Sequence, residues 1–160
     1  MSVDLDVASA DAMHRLGMTL ASLLRAGDLV VLVGPLGAGK TTLAQGIGAG
    51  MGVRGNVTSP TFVIARVHPT KTHGPALVHV DAYRIAGALE IDDLDLDASV
   101  GDSVTVVEWG RGLVEGLAPD RLDVDIDWAA DSAGDIRQVR ITAHGPRWHG
   151  VELADLLATG

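Results

Sequence analysis

The residues Gly34-Pro35-Leu36-Gly37-Ala38-Gly39-Lys40-Thr41 carry the types and spacing of a phosphate-binding loop, G-x-x-x-x-G-K-[ST]. The chemistry requires a strand before the loop and a helix after it. Here the apolar run Leu29-Val-Val-Leu-Val33 precedes it, and a stretch with helical character, Thr41 to Met51, follows. In that setting the N–H groups of a glycine-rich turn and of a new helix converge on phosphate oxygens. Lys40 would reach the β- and γ-phosphates, and the Thr41 hydroxyl would coordinate Mg²⁺. A glycine-rich turn that binds nothing is the bland alternative. The complete pattern in its required context points instead to a bound nucleotide.

The elements that position this loop can be read from periodicity. Met13, Leu16, Leu20, Leu23 and Leu24 fall at helical spacing over residues 10–25, with Ser9 as N-cap and Gly27 as stop. Apolar runs at 62–67, 77–80 and 104–107 predict further strands, and 88–100 predicts a partly helical connection. From Leu122 to Trp128 apolar residues alternate with Asp123, Asp125 and Asp127. Residues 136–143 alternate as well, so the two segments predict an antiparallel pair at one edge of the sheet, with arginine facing aspartate. A short helix over 151–158 closes the chain. The whole reads as one α/β domain over residues 1–160, a P-loop NTPase-like sheet with a parallel core and antiparallel edge strands, flanked by helices.

Parallel sheets bind ligands at the carboxyl ends of their strands. One such end leads into the loop, a second carries Asp81 and a third carries Glu108. Side by side, these strands would aim both carboxylates at a phosphate-bound metal, for metal or water work; as isolated residues, either acid would be a turn or cap residue. Thr58-Ser-Pro-Thr61 follows the loop's helix where a γ-phosphate-sensing threonine, Thr61, would sit. Arg66 and Arg84 are candidates to offset phosphate charge, against the commoner surface ion pair. The acidic run Glu90, Asp92, Asp93, Asp95, Asp97 interleaves with Ile91, Leu94 and Leu96, a solvated face or a docking surface. His79, between strand valines, reads as a core residue or as a neighbour of the site.

Composition narrows the classes. The chain has 160 residues, 47% hydrophobic, enough for one sizeable core, and its 20 glycines are spread through turns. It has no cysteine, which removes disulfides, thiol nucleophiles and cysteine-ligated metals and fits a cytoplasmic setting. The acidic start, Met1-Ser-Val-Asp-Leu-Asp, does not read as a signal peptide, and no apolar stretch approaches spanning length. With 21 acidic against 12 basic residues and a net charge of −9, direct gripping of nucleic acid is not expected. Contact with RNA would run through a partner.

Taken together, Gly34-Pro-Leu-Gly-Ala-Gly-Lys-Thr-Thr42, Thr58-Ser-Pro-Thr-Phe62, His79-Val-Asp-Ala-Tyr-Arg84 and Val107-Glu-Trp-Gly110 resemble the bacterial TsaE (YjeE) ATPases in order and spacing. These act in making the threonylcarbamoyladenosine modification of tRNA. The resemblance implies a cytoplasmic, Mg²⁺-dependent ATPase, slow without partners, that associates with a TsaB–TsaD heterodimer and resets it between turnovers. It also implies that Lys40, Thr41 and Thr42 bind phosphates and Mg²⁺. Glu108 would sit at the metal with Asp81 near it, Trp109 would pack beside the site, and Thr61 would fall in the switch-like segment. Residues near Ser9 would approach the base. Many relatives place proline and a polar or acidic residue after the Glu-Trp pair, where this chain has Gly110-Arg111.

Three rival functions share the phosphate-binding loop. A GTPase of the usual kind needs Asn-Lys-x-Asp, and the residues before Lys40 and Lys71 are Gly39 and Thr70. A P-loop small-molecule kinase would want an arginine-bearing lid and an acceptor pocket. A nucleotide-dependent binding switch would need occupancy and not turnover.

Overall fold

Among the described residues, the alternating and helical patterns assemble around one mixed sheet of seven strands. The computed structural model describes residues 1–55, 57, 65–82, 100–109, 112, 114, 116–130 and 134–158. Along the chain come β1 (Ser2–Val7), α1 (Ala10–Leu23), β2 (Leu29–Val33), α2 (Lys40–Met51) and β3 (Ala65–His68). Next are β4 (Ala76–Asp81), β5 (Ser103–Glu108), β6 (Arg121–Trp128), β7 (Arg137–His144) and the short helix α3 (Leu153–Leu157). The strand order is β1-β7-β6-β2-β5-β4-β3. Pairing is parallel from β6 through β2 and β5 to β4, and antiparallel outward on both sides.

The central strands are buried on both faces, which is why β2 and β5 read as unbroken apolar runs and not as alternations. Val30, Leu32, Leu77, Val104, Val106, Val124 and Ile126 pack under α1 and α2. On the opposite face Leu29, Val31, Val78, Val80 and Val107 form a second layer with Val100, Val114 and Ala118.

The predicted hairpin is present as β6 and β7, but it is not at an edge. β1 adds outside β7 in antiparallel register, and β6 joins the parallel core beside β2. The acidic first residues alternate, Val3, Leu5 and Val7 inward and Asp4 and Asp6 outward, so they form an edge strand. Arg140 stands opposite Asp125 in the register, yet its ion pair, 2.7 Å, is with Asp4 on β1. Trp128, grouped by alternation with the core, is 44% exposed at the end of β6.

Ser9 caps α1 as expected, its hydroxyl accepting from Ala12 N–H at 3.1 Å. The helix ends at Leu23, and Gly27 (φ 95°) makes the turn into β2. α1 and α2 cross on glycines. A Cβ added to Gly17 would lie 2.8 Å from the Gly46 Cα, so the backbones approach closely there. That crossing sets the start of α2, and with it the loop, against the start of α1. Asp28, at the entry to β2, accepts from Arg25 N–H (2.8 Å) and the Arg147 guanidinium (3.0 Å), tying the C-terminal segment to the core. Burial, opposed by those two partners, raises its pKa. Among the described residues no helix is long and apolar enough to cross a membrane.

Candidate functional site

The loop between β2 and α2 is shaped by glycine. Gly39 adopts φ 117° with Met13 packed against its α-carbon, and it offers no side chain to cap α2. The first N–H groups of a helix have no partner within it. Those of Lys40 and Thr41 therefore face out at the positive end of the helix dipole, where an anion is favoured. Pro35, Leu36 and Gly37 are exposed, and Ala38 is buried against the site's wall.

Lys40 is 5% exposed and its Nζ donates to the carbonyls of Gly34 (2.8 Å) and Pro35 (2.9 Å). Its ammonium also lies 4.1 Å from the centre of the Trp109 ring, a cation–π contact. Burial lowers the Lys40 pKa from 10.5, while Glu108 and then Asp81 hold it up. Trp109 reaches this position by taking φ 64°, a left-handed conformation rare for a bulky residue. Its N–H donates to the Leu32 carbonyl at 2.9 Å, locking the turn to the strand that feeds the loop. The ring is therefore held beside the Lys40 ammonium.

Glu108 ends β5 and is 3% exposed. In the parallel register it stands beside Leu32 on one side and Asp81 on the other. Its Oε1 accepts from the Thr41 hydroxyl at 3.3 Å, and its Oε2 lies 2.7 Å from His79 Nε2. The sequence placed Lys40, Thr41, Asp81 and Glu108 on three separate segments, and the sheet gathers them at one end. Thr41, Glu108 and Asp81 are the oxygen donors a divalent cation would meet here. Among the described residues no three His, Asp or Glu side chains converge on a metal position. A cation at this point would complete its shell with phosphate oxygens and water, which suits Mg²⁺.

A cleft of about 280 Å³ opens beside the loop, lined by Ser9, Met13, Gly39, Thr42, Asp135 and Arg137. Sequence reading had Ser9 and Thr42 near it but missed Arg137. The Arg137 Nε donates to the Ala38 carbonyl at 3.2 Å, and its guanidinium stacks 3.2 Å from the centre of the Trp128 ring. The available signal was its parity with Val139 and Ile141, which points it to the α1 and α2 side of β7.

The family model described as "Threonylcarbamoyl adenosine biosynthesis protein TsaE" matches residues 7–139. The chain belongs to the TsaE family. A tRNA threonylcarbamoyladenosine biosynthesis protein TsaE of Streptomyces coelicolor is 61% identical over 146 residues, 90% of this chain and 99% of that one. The TsaE protein of Bacillus subtilis is 38% identical over 129 residues, 80% and 77% of the two chains. Among solved structures, the crystal structure of Bacillus subtilis YdiB superposes with a TM-score of 0.75 at 29% identity, covering 99% of this chain and 95% of that one.

In this TsaE-family chain the fold thus gathers the loop from Gly34 to Gly39, Lys40, Thr41, Glu108, Asp81 and Trp109 at one end of the sheet, where they form the candidate site. Arg66 lies exposed on the edge strand β3. Thr58, Thr61, Phe62, Tyr83, Arg84, the acidic run 90–97 and Gly110-Arg111 lie outside the described residues.

Proposed function

We propose that this chain binds ATP with Mg²⁺ and hydrolyses it as a component of the cytoplasmic machinery that makes the threonylcarbamoyladenosine modification of tRNA. In this reading it works with a TsaB–TsaD type heterodimer, resets that assembly between turnovers, and meets tRNA only through it. The observation that carries the reading is the Thr41–Glu108 contact at 3.3 Å beside the Lys40 ammonium, a hydroxyl, a carboxylate and a cation at one phosphate-binding turn.

The loop and the first turn of α2, Thr42 included, hold the phosphate chain through N–H donors. Lys40 exchanges the Gly34 and Pro35 carbonyls for phosphate oxygens, which carry more negative charge. Mg²⁺, when bound, neutralises charge that develops on the β- and γ-phosphates. Thr41 and Glu108 orient around that charge, and Asp81 stands beside Glu108 to position the attacking water. The water oxygen attacks the terminal phosphorus and passes its proton to a phosphate oxygen, the bond to the β-γ bridging oxygen breaks, and ADP and phosphate leave. Thr61 is assigned the sensing of the γ-phosphate from the resemblance. The net charge of −9 supports an indirect tie to RNA.

The test is phosphate release from MgATP by the purified chain, alone and with a TsaB–TsaD pair, with Lys40→Ala as control. Slow release that the pair changes and the variant abolishes upholds the proposal. Release indifferent to the pair, or release only with a small acceptor, removes it and restores the kinase reading.

A further inference from the structure

Two buried polar side chains, Glu108 and His79, form the floor of the site, and His79 has no part in the scheme above. His79 has no exposed surface and Glu108 is 3% exposed. On the paired strands β4 and β5, His79 stands opposite Val106 and Asp81 opposite Glu108. His79 and Glu108 are therefore diagonal neighbours on the face that α2 covers. The separation of His79 Nε2 from Glu108 Oε2, 2.7 Å, is that of a strong hydrogen bond. The other ring nitrogen, Nδ1, is buried and has no partner among the described residues.

These contacts distinguish the two tautomers of a neutral ring. A buried N–H with no acceptor is rarer and costlier than an under-used acceptor lone pair. A proton on Nδ1 would create the first. A proton on Nε2 donates to Glu108 and leaves only a bare lone pair at Nδ1. The polar ring is also retained among Leu77, Val78 and Val80, where an aliphatic side chain would avoid that buried polar atom. Its value must lie in the contact it makes. The terminal torsion of a glutamate is broad, so a carboxylate held at one oxygen swings freely. With Oε2 held by His79, Oε1 stays turned to Thr41.

We propose that His79, protonated at Nε2, is a positioning residue that fixes the Glu108 carboxylate so that Oε1 faces Thr41 and the phosphate-bound metal. This rests on the ATPase reading above. It acts through Glu108 and does not touch the nucleotide.

The first measurement needs no turnover. NMR of the full chain with nitrogen-15-labelled histidine should show His79 protonated at Nε2 and bare at Nδ1, with the Nε2–H signal moved in Glu108→Gln. A proton on Nδ1 overturns the proposal. Kinetics then separate positioning from packing. His79→Leu should lower kcat for ATP roughly 10- to 100-fold while ATP affinity stays within about twofold, as expected for loss of a partner behind a metal-side carboxylate. His79→Gln, whose amide donates from a similar place, should recover most of that loss. Wild-type kcat in His79→Leu, or kcat and affinity falling together with the melting temperature, overturns it. Should the wild-type chain release no phosphate, the ATPase reading falls alone. The Mg²⁺ midpoint for ATP binding then decides the His79 role: raised in His79→Leu upholds it, unchanged overturns it.

Discussion

Thr41 and Glu108 are 67 positions apart in the chain, and their side chains meet at 3.3 Å. One opens the helix after the loop and the other closes the neighbouring parallel strand. Because β2 lies between β5 and β6, the loop leaves β2 directly beside the end of β5. The contact is thus a consequence of strand order.

Replacing Lys40 by alanine removes the ammonium that two loop carbonyls hold at 2.8 and 2.9 Å. Charge-assisted hydrogen bonds contribute about 1.5–3 kcal/mol each, so MgATP affinity should fall at least roughly tenfold. Isothermal titration checks it, and unchanged affinity would place phosphate binding elsewhere.

Glu108→Gln keeps the shape of the site and removes the negative charge. Phosphate release should fall by on the order of 100-fold, with ATP still bound. If such a variant supports tRNA modification over many turnovers in a reconstituted assay, occupancy and not hydrolysis carries the function.

Arg137→Ala frees the Ala38 carbonyl from its 3.2 Å hydrogen bond and unstacks Trp128. The loop loses a brace supplied by β7, and MgATP affinity should weaken by roughly tenfold, the worth of one hydrogen bond to a charged group. Fluorescence titration measures this. An affinity equal to wild type would reduce Arg137 to a surface contact.

Gly17→Ala places a methyl 2.8 Å from the Gly46 Cα at the crossing of α1 and α2. Overpacking should cost about 1–3 kcal/mol. The melting temperature should drop by about 2–4 °C for each kcal/mol lost, read by calorimetry.

His68 is buried on β3, and burial first, then His79 and Arg66, lower its pKa below the ordinary 6.5. As pH falls through 6.5 the unfolded chain takes up its proton before the folded chain does, so stability is full above that value and declines below it. In His68→Leu this contribution is gone. Urea unfolding at about pH 7.5 and about pH 5.5 should therefore show the wild type losing more stability than the variant on acidification. Equal losses would refute the assignment.

Much of this molecule is written in short-range rules. The loop is legible because its chemistry belongs to consecutive residues whose glycines and helix start dictate backbone direction. Buried parallel strands read as apolar runs, and β6 and β7 read as alternations, because side-chain direction repeats every second residue. Ser9 marks the start of α1 because a hydroxyl satisfies helix N–H groups locally. The acids at 81 and 108 were visible as strand ends. Other features depend on which strand lies beside which, a choice made by packing of the whole core. These include β1 covering β7, β6 inside the sheet, Glu108 held between Thr41 and His79, and Arg137 brought to Ala38 across 99 positions. Local sterics carry no information over such separations. Packing α1 and α2 over one face of a sheet of this order brings the separate segments to one site.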